Sequence, residues 1–323
     1  MIEKLSIENF KSIRKLDLAC KKINIFIGEP NAGKSNIVEA IGIFSDGNTH
    51  YLKDLIRFKS FAEVFYNKEV SQNITINADQ YAAKISFGNH EYNCVLTNGI
   101  PGTILNIKIN THDQGISASW NDPFNSPFRF YQYKSLSYFG IKKPGYLLAP
   151  SGENLITSLT TNEKPRDLIG EIYKSKGLRL LLDEERNEVS LIKDSGNISS
   201  RYSFEATSET LRRITFLILA LETNHDCVLV FDEPEANLFP FYTTYFAERL
   251  AKDESNQYFF TTHNSYLINT LVAKLGMENL NICLTYMEDD YQTKIKVLSG
   301  EEINEFVNSD LDITLNFSYF LEK

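Results

Sequence analysis

Apolar and polar positions alternate from the first residues of the chain. Leu5, Ile7 and then Phe10 stand out along 2–10, and a second short run follows at 12–18. Both predict β-strands, because a period of two sends successive side chains to opposite faces of a sheet. Residues 22–27, Lys-Ile-Asn-Ile-Phe-Ile, are nearly all apolar, as a strand covered on both faces requires. The period then changes, and apolar residues at 37, 38, 40, 41 and 44 predict a helix over 35–44. From about 70 to 120 the period of two returns, at Ile74 and Ile76, at Ala83, Ile85 and Phe87, at Tyr92, Cys94 and Leu96, and at Leu105, Ile107 and Ile109. Gly-Asn, Asn-Gly and Pro-Gly pairs punctuate these runs, which predicts an antiparallel β lobe inserted after the first helix, within 60–140. Residues 121–152 read as a loop-rich return to the core.

The second half alternates helix and strand. Residues 207–223 predict a helix, 227–231 a strand buried on both faces, 241–252 an amphipathic helix, and 257–262 another strand that ends at His263. No heptad run occurs, so no long coiled coil is expected. The whole, 1–323, reads as one α/β domain with a mixed-sheet core and an antiparallel β lobe.

Chemistry enters at residues 28–35, Gly-Glu-Pro-Asn-Ala-Gly-Lys-Ser, an unbroken G-x-x-x-x-G-K-S loop between a strand and a helix. Such a loop binds nucleotide phosphates. Gly28 and Gly33 let the backbone turn tightly, the N–H groups of Asn31, Ala32, Gly33, Lys34 and Ser35 point at the anion, and Asn36 closes the binding set. Lys34 reaches the β- and γ-phosphates, and the Ser35 hydroxyl ligates Mg²⁺. ATP and Mg²⁺ are the cofactors this predicts, and the fold is that of a P-loop NTPase. Ligands of open α/β sheets sit at the carboxyl ends of the strands, which puts Asp232, Glu233 and His263 beside the loop.

Composition narrows the class. The four cysteines, Cys20, Cys94, Cys227 and Cys283, are scattered and the five histidines do not cluster, so neither a zinc site nor a disulfide framework is expected. The apolar runs are too short to span a membrane, and the amino terminus carries no signal-peptide pattern, which predicts a cytoplasmic protein with no membrane partner. Net charge is −9, and residues 283–323 hold nine acids against three lysines. That balance argues against a broad nucleic-acid footprint. A local patch at Lys11, Arg14, Lys15, Lys21 and Lys22 leaves two readings, a nucleic-acid contact or the charged edge of a sheet.

Taken in order, Ile7-Glu-Asn-Phe-Lys-Ser-Ile13, the phosphate loop, Pro150-Ser-Gly-Glu-Asn154, Ser208-Glu-Thr-Leu-Arg-Arg213, Phe231-Asp-Glu-Pro-Glu235 and Phe260-Thr-Thr-His263 resemble the ABC-type ATPase heads of the RecF, SMC and OLD-like kind. Within that group the chain is similar to short phage-defence ATPase subunits, Septu- or retron-associated or Gabija-like, without the nuclease domain. The resemblance implies that Asp232 holds Mg²⁺ through water, that Glu233 is the general base, that His263 contacts the γ-phosphate, and that Glu235 to Leu238 cross a dimer interface. It assigns Thr207, Ser208 and Glu209 to a signature that meets the nucleotide of a second copy. Gln132 is either the residue that couples Mg²⁺ to the mobile lobe or a surface glutamine on a strand. Arg57 either approaches phosphate or DNA or is a solvated helix residue.

Three departures stand out against the family pattern, one of them Asn264-Ser265 in place of a usual Ser-Pro. Glu209 occupies the glycine place, where its charge opposes phosphate, and Asn237 stands where relatives often carry histidine. Hydrolysis that is slow, or conditional on a partner, is the expectation. The resulting function is an ATP-driven switch, a homodimer or higher homo-oligomer that sandwiches ATP and controls a separately encoded effector in phage defence. The alternatives are a RecF- or SMC-like DNA-repair ATPase and a weakly hydrolysing nucleotide-bound scaffold.

Overall fold

Five parallel strands form the centre of the molecule. The computed structural model describes residues 1–45, 52–100, 104–110, 116–120, 126–288, 290–308 and 316–322. Asp289, Asp310, Asp312 and Lys323 of the acidic tail, and parts of the 60–140 and 121–152 segments, lie outside them. The central sheet runs, edge to edge, β16 (Thr293–Val297), β15 (Leu280–Met287), β3 (Ile23–Ile27), β14 (Gln257–Thr261), β13 (Val228–Phe231) and β9 (Phe128–Tyr131). β16 is antiparallel to β15; the rest are parallel to their neighbours.

Both faces of this sheet are covered, which explains its unbroken apolar strands. Ile23, Ile25, Ile27, Leu229, Phe231, Tyr258 and Phe260 share a core with α5 (Glu209–Glu222), α6 (Pro240–Lys252) and α7 (Ser265–Lys274). Phe26, Val228, Val230 and Phe259 pack on the other side with α1 (Lys34–Gly42), which the short α2 (Leu52–Leu55) follows along the chain. Side chains withdrawn fully from water, such as Phe231 and Phe246, contribute about 2 kcal/mol each. Asn24, one of several buried polar residues in this sheet, is satisfied: its amide donates to the Lys21 carbonyl at 2.7 Å and its oxygen accepts from Asn281 at 3.0 Å.

The second sheet is antiparallel throughout and contains seven strands. They are, in spatial order, β2 (Ile13–Ala19), β1 (Lys4–Phe10), β4 (Ile74–Ala78), β5 (Tyr81–Gly88), β6 (Glu91–Thr97), β7 (Ile104–Asn110) and β8 (Ile116–Trp120). The strands of 74–120 therefore continue the amino-terminal hairpin, with Ile7 opposite Ile76 across the β1–β4 junction. Pairing there closes an edge that β1 would otherwise expose. β9, although inside the 60–140 segment, belongs to the central sheet. Phe44, just beyond α1, joins the two sheets by packing 5.1 Å from Phe128 of β9 and 6.3 Å from Tyr81 of β5.

Residues 153–206, for which the apolar pattern gives no elements, fold as α3 (Leu155–Thr161), α4 (Glu163–Lys174) and a three-stranded antiparallel sheet of β10 (Arg179–Asp183), β11 (Glu188–Ser195) and β12 (Ile198–Ser203). The longest helix among the described residues, α5, has 14 residues. None of the described helices is long and apolar enough to cross a membrane.

Candidate active site

The phosphate-loop sequence leaves β3 at Ile27 and enters α1 at Lys34. Packing against β15 and β16 makes its glycines obligatory. A Cβ on Gly28 would lie 2.0 Å from the Thr285 carbonyl oxygen, and one on Gly33, whose φ is +94°, would lie 2.0 Å from Thr293 Oγ1. Thr293 donates to the Ala32 carbonyl at 3.0 Å and shares a 2.6 Å hydrogen bond with Ser12, to which the Asn36 amide donates at 2.7 Å. Asn36 thus braces the loop from behind. Asn31 takes φ +65°, a left-handed conformation that asparagine tolerates better than most residues. The Lys34 ammonium donates to the carbonyls of Gly28 and Glu29, both at 2.8 Å, at the mouth of the loop. Burial pushes its pKa down, while the negative charges of Glu233 and Asp232 pull it up again.

The carboxyl edge of the sheet brings the acids to this loop. Phe231 is in register with Tyr131 on one side and Phe260 on the other, so Gln132, Asp232 and Thr261 follow at one level. Asp232 Oδ1 accepts from Ser35 Oγ at 3.1 Å and from Thr261 Oγ1 at 2.6 Å. Thr261 in turn accepts the Glu233 N–H at 2.9 Å. Glu233 holds φ at +45°, a strained conformation for a residue with a side chain, and that turn presents its carboxylate outward. Its Oε1 is 3.4 Å from His263 Nε2. Burial and Lys34 both lower the His263 pKa, against the opposing pull of Glu233 and Asp232, so the imidazole is neutral at neutral pH.

The donor set fits Mg²⁺. Ser35 and Asp232 offer adjacent hard oxygens, Gln132 is level with them, and no group of three or more His, Cys, Asp or Glu side chains gathers among the described residues. Mg²⁺ needs no more, since it typically binds one or two protein oxygens and completes its shell with water and substrate phosphates.

Thr207, Ser208 and Glu209 are not part of this cluster. Ser208 caps α5, accepting the Leu211 N–H at 3.4 Å, while Glu209 accepts from the Asn237 amide at 3.0 Å and faces Arg213 at 3.6 Å. Thr207 Oγ1 is buried without a hydrogen-bond partner.

Two further acids belong to the neighbourhood. Glu39 on α1 is fully buried and receives the Lys11 ammonium and, at 2.5 Å, Arg57 Nε. Arg57, itself largely exposed, also interacts electrostatically with Asp232 and Glu233. The sequence signal of Glu39 is an acid inside the apolar run Ile37-Val-Glu-Ala-Ile41. Glu235 is 7% exposed, and burial raises its carboxyl pKa to about 7, an effect the Thr262 hydroxyl partly offsets.

A model of the RecF/RecN/SMC N-terminal domain matches residues 1–283. An uncharacterized protein of Methanocaldococcus jannaschii is 27% identical over 130 residues, which are 39% of this chain and 59% of that protein. The match therefore spans about three-fifths of that relative's length. Among solved structures, an SMC head bound to the C-winged-helix domain of ScpA aligns with 93% of this chain and 98% of its own, at a TM-score of 0.50 and 17% identity. An Smc head with an extended coiled coil, bound to the C-terminal domain of ScpA and derived from Pyrococcus furiosus, covers 96% and 99% at a TM-score of 0.49 and 16% identity. At such identities the first likeness is one of fold.

Proposed function

Because the chain belongs to the RecF/RecN/SMC N-terminal domain family, we propose that it is an ATP-binding and ATP-hydrolysing head that works as a conformational switch. The observation that carries this is the continuous chain of contacts from Ser35 through Asp232 and Thr261 to Glu233 and His263, at the mouth of the phosphate loop.

In this proposal the loop N–H groups and Lys34 hold the phosphates, and Ser35, Asp232 and Gln132 hold Mg²⁺, which supplies positive charge to the phosphate oxygens. Glu233 accepts a proton from the attacking water as its oxygen bonds to the γ-phosphorus and the bridge to ADP breaks. The neutral His263, within reach of the Glu233 carboxylate, donates a hydrogen bond to the γ-phosphate. Thr207 to Glu209 make their contacts away from this loop, which favours a role toward the nucleotide of a second copy, and hence a homodimer or larger homo-oligomer closed by ATP. A partner protein bound to the head is proposed by likeness to the ScpA-bound heads, and control of a separately encoded effector in phage defence is the specific form we favour. Family membership supports a DNA-repair or chromosome-associated role equally, and the net charge of −9 weighs against a large DNA footprint.

Phosphate release by the purified protein tests the core of the proposal. Lys34→Ala should abolish ATP binding, and Glu233→Gln should preserve binding while lowering turnover by about two to four orders of magnitude. An E233Q protein with unchanged turnover would remove Glu233 as the base. Salt-sensitive DNA binding that stimulates turnover would favour the DNA-associated role over the effector switch.

A further inference from the structure

Glu235 lies two residues beyond Glu233 but turns into the protein. One oxygen, Oε1, accepts the Thr262 hydroxyl and, at 3.3 Å, the N–H of His263. Thr262 Oγ1 accepts in turn from the Asn264 N–H at 2.9 Å, and the Asn264 side chain caps α7 by accepting from Leu267 N at 3.2 Å. The peptide groups on both sides of His263 are thus tied, directly or through Thr262, to one carboxyl oxygen. Its other oxygen, Oε2, is buried without a partner. An apolar side chain would fill this space without the cost of burying a carboxyl group, but only an acceptor can hold the His263 N–H.

Glu233, two residues earlier, is held from the other side. Its N–H bonds to Thr261, so the loop after β13 is stitched to the end of β14 and the residues that follow it, Asp232 and Glu233 to Thr261, then Glu235 to Thr262 and His263. We infer that Glu235 is a positioning residue, which sets the backbone of His263 so that the imidazole stays in register with the Glu233 carboxylate. This rests on the ATP-hydrolysis proposal above. It adds a specific acid that contacts neither phosphate nor metal.

Steady-state ATP turnover, and the affinity for a fluorescent ATP analogue, measured on the full chain separate the two. Glu235→Ala should lower kcat about ten- to a hundredfold, as a small misplacement of a reacting group does, with KM and analogue affinity changed less than about threefold. Glu235→Gln keeps an acceptor oxygen and should restore kcat to within about threefold of the unaltered protein. Because the effect passes through His263, E235A should add nothing further in a His263→Ala background. An E235A protein of normal kcat, an E235Q protein as slow as E235A, or full additivity with H263A would each overturn the positioning role while leaving the hydrolysis proposal standing. Absence of ATP binding and turnover in the unaltered protein would remove both.

Discussion

Replacing Glu235 by glutamine should change how the stability of the fold depends on pH. Burial holds the Glu235 carboxyl at about 7 against an ordinary value of 4.5, because ionisation would leave a charge in the interior; Glu233 adds to the effect, and the Thr262 hydroxyl and two backbone N–H groups oppose it. A folded pKa above the unfolded one means that the folded chain binds the extra proton. The stabilisation is complete below about 4.5 and is lost as pH rises through about 7. Two and a half pH units at about 1.4 kcal/mol per unit amount to about 3 kcal/mol, a large share of a typical domain's stability. Glutamine does not titrate, so the variant escapes this loss. Its amide N–H₂ meets no partner at the Oε2 position, which costs a constant amount at every pH. The slope of the difference is therefore the test. Urea unfolding of both proteins at half-unit steps from pH 5 to 9 should show E235Q gaining on the unaltered chain up to about pH 7.5 and running parallel above it. A difference that stays constant from pH 5 to 9 would show that Glu235 is not the buried acid described here.

Three other substitutions probe the supports of the site. Glu39→Ala strands the Lys11 ammonium in a mostly buried place and frees Arg57; unfolding free energy should fall by about 3 kcal/mol, and denaturant midpoints would show it. Gly33→Ala combines the left-handed φ of +94° with a Cβ 2.0 Å from Thr293 Oγ1, so the loop must shift and binding of the fluorescent ATP analogue should be lost even where circular dichroism shows a folded chain. Thr261→Val removes the hydroxyl that joins Asp232 to the Glu233 N–H at almost constant volume; turnover should fall about tenfold or more, and unchanged phosphate release would exclude Thr261 from the alignment of the acids.

What the sequence made legible was local or carried by a motif. The turn from β3 into α1 needs two glycines at fixed spacing, the strand at 228–231 is apolar on both faces, and each of these signals lies within ten residues. β15 escaped the same reasoning although it borders β3. Three of its positions, Asn281, Cys283 and Thr285, are polar or weakly apolar yet fully or nearly buried, and Asn281 is paid for only by contacts with Ala19 and Asn24, more than 250 positions away in sequence. β12 carries the opposite problem, since all six of its residues are exposed and no apolar face marks it. The joining of β1 to β4 was hidden because a period of two gives the face of each strand but not its neighbour. Glu39 was hidden for a related reason: an acid in an apolar helix run is intelligible only once Lys11 and Arg57 arrive from two other elements.

Two of the departures from the family pattern, at 209 and 237, take on a different meaning once they are seen together. Alone, a carboxylate at 209 opposes phosphate and an asparagine at 237 lacks an imidazole. In the fold they bond to each other, Asn237 Nδ2 donating to Glu209 at 3.0 Å, while the Thr210 hydroxyl donates to the Asn237 carbonyl at 2.8 Å. That hydrogen bond, with help from Arg213, holds the Glu209 pKa below its usual value, so the acid is ionised but engaged, in the first turn of α5 where the helix dipole favours it. Asn237, with φ at +59°, sits in the same short loop as Glu235. One end of that loop is anchored to His263 and the other to the start of α5. A segment of three residues, Glu235 to Asn237, thus joins the backbone of His263 to the first turn of α5 through side-chain hydrogen bonds at both ends. A glycine at 209 would leave the Asn237 amide without this acceptor, and the loop would be tied to the start of α5 by the Thr210 hydroxyl alone.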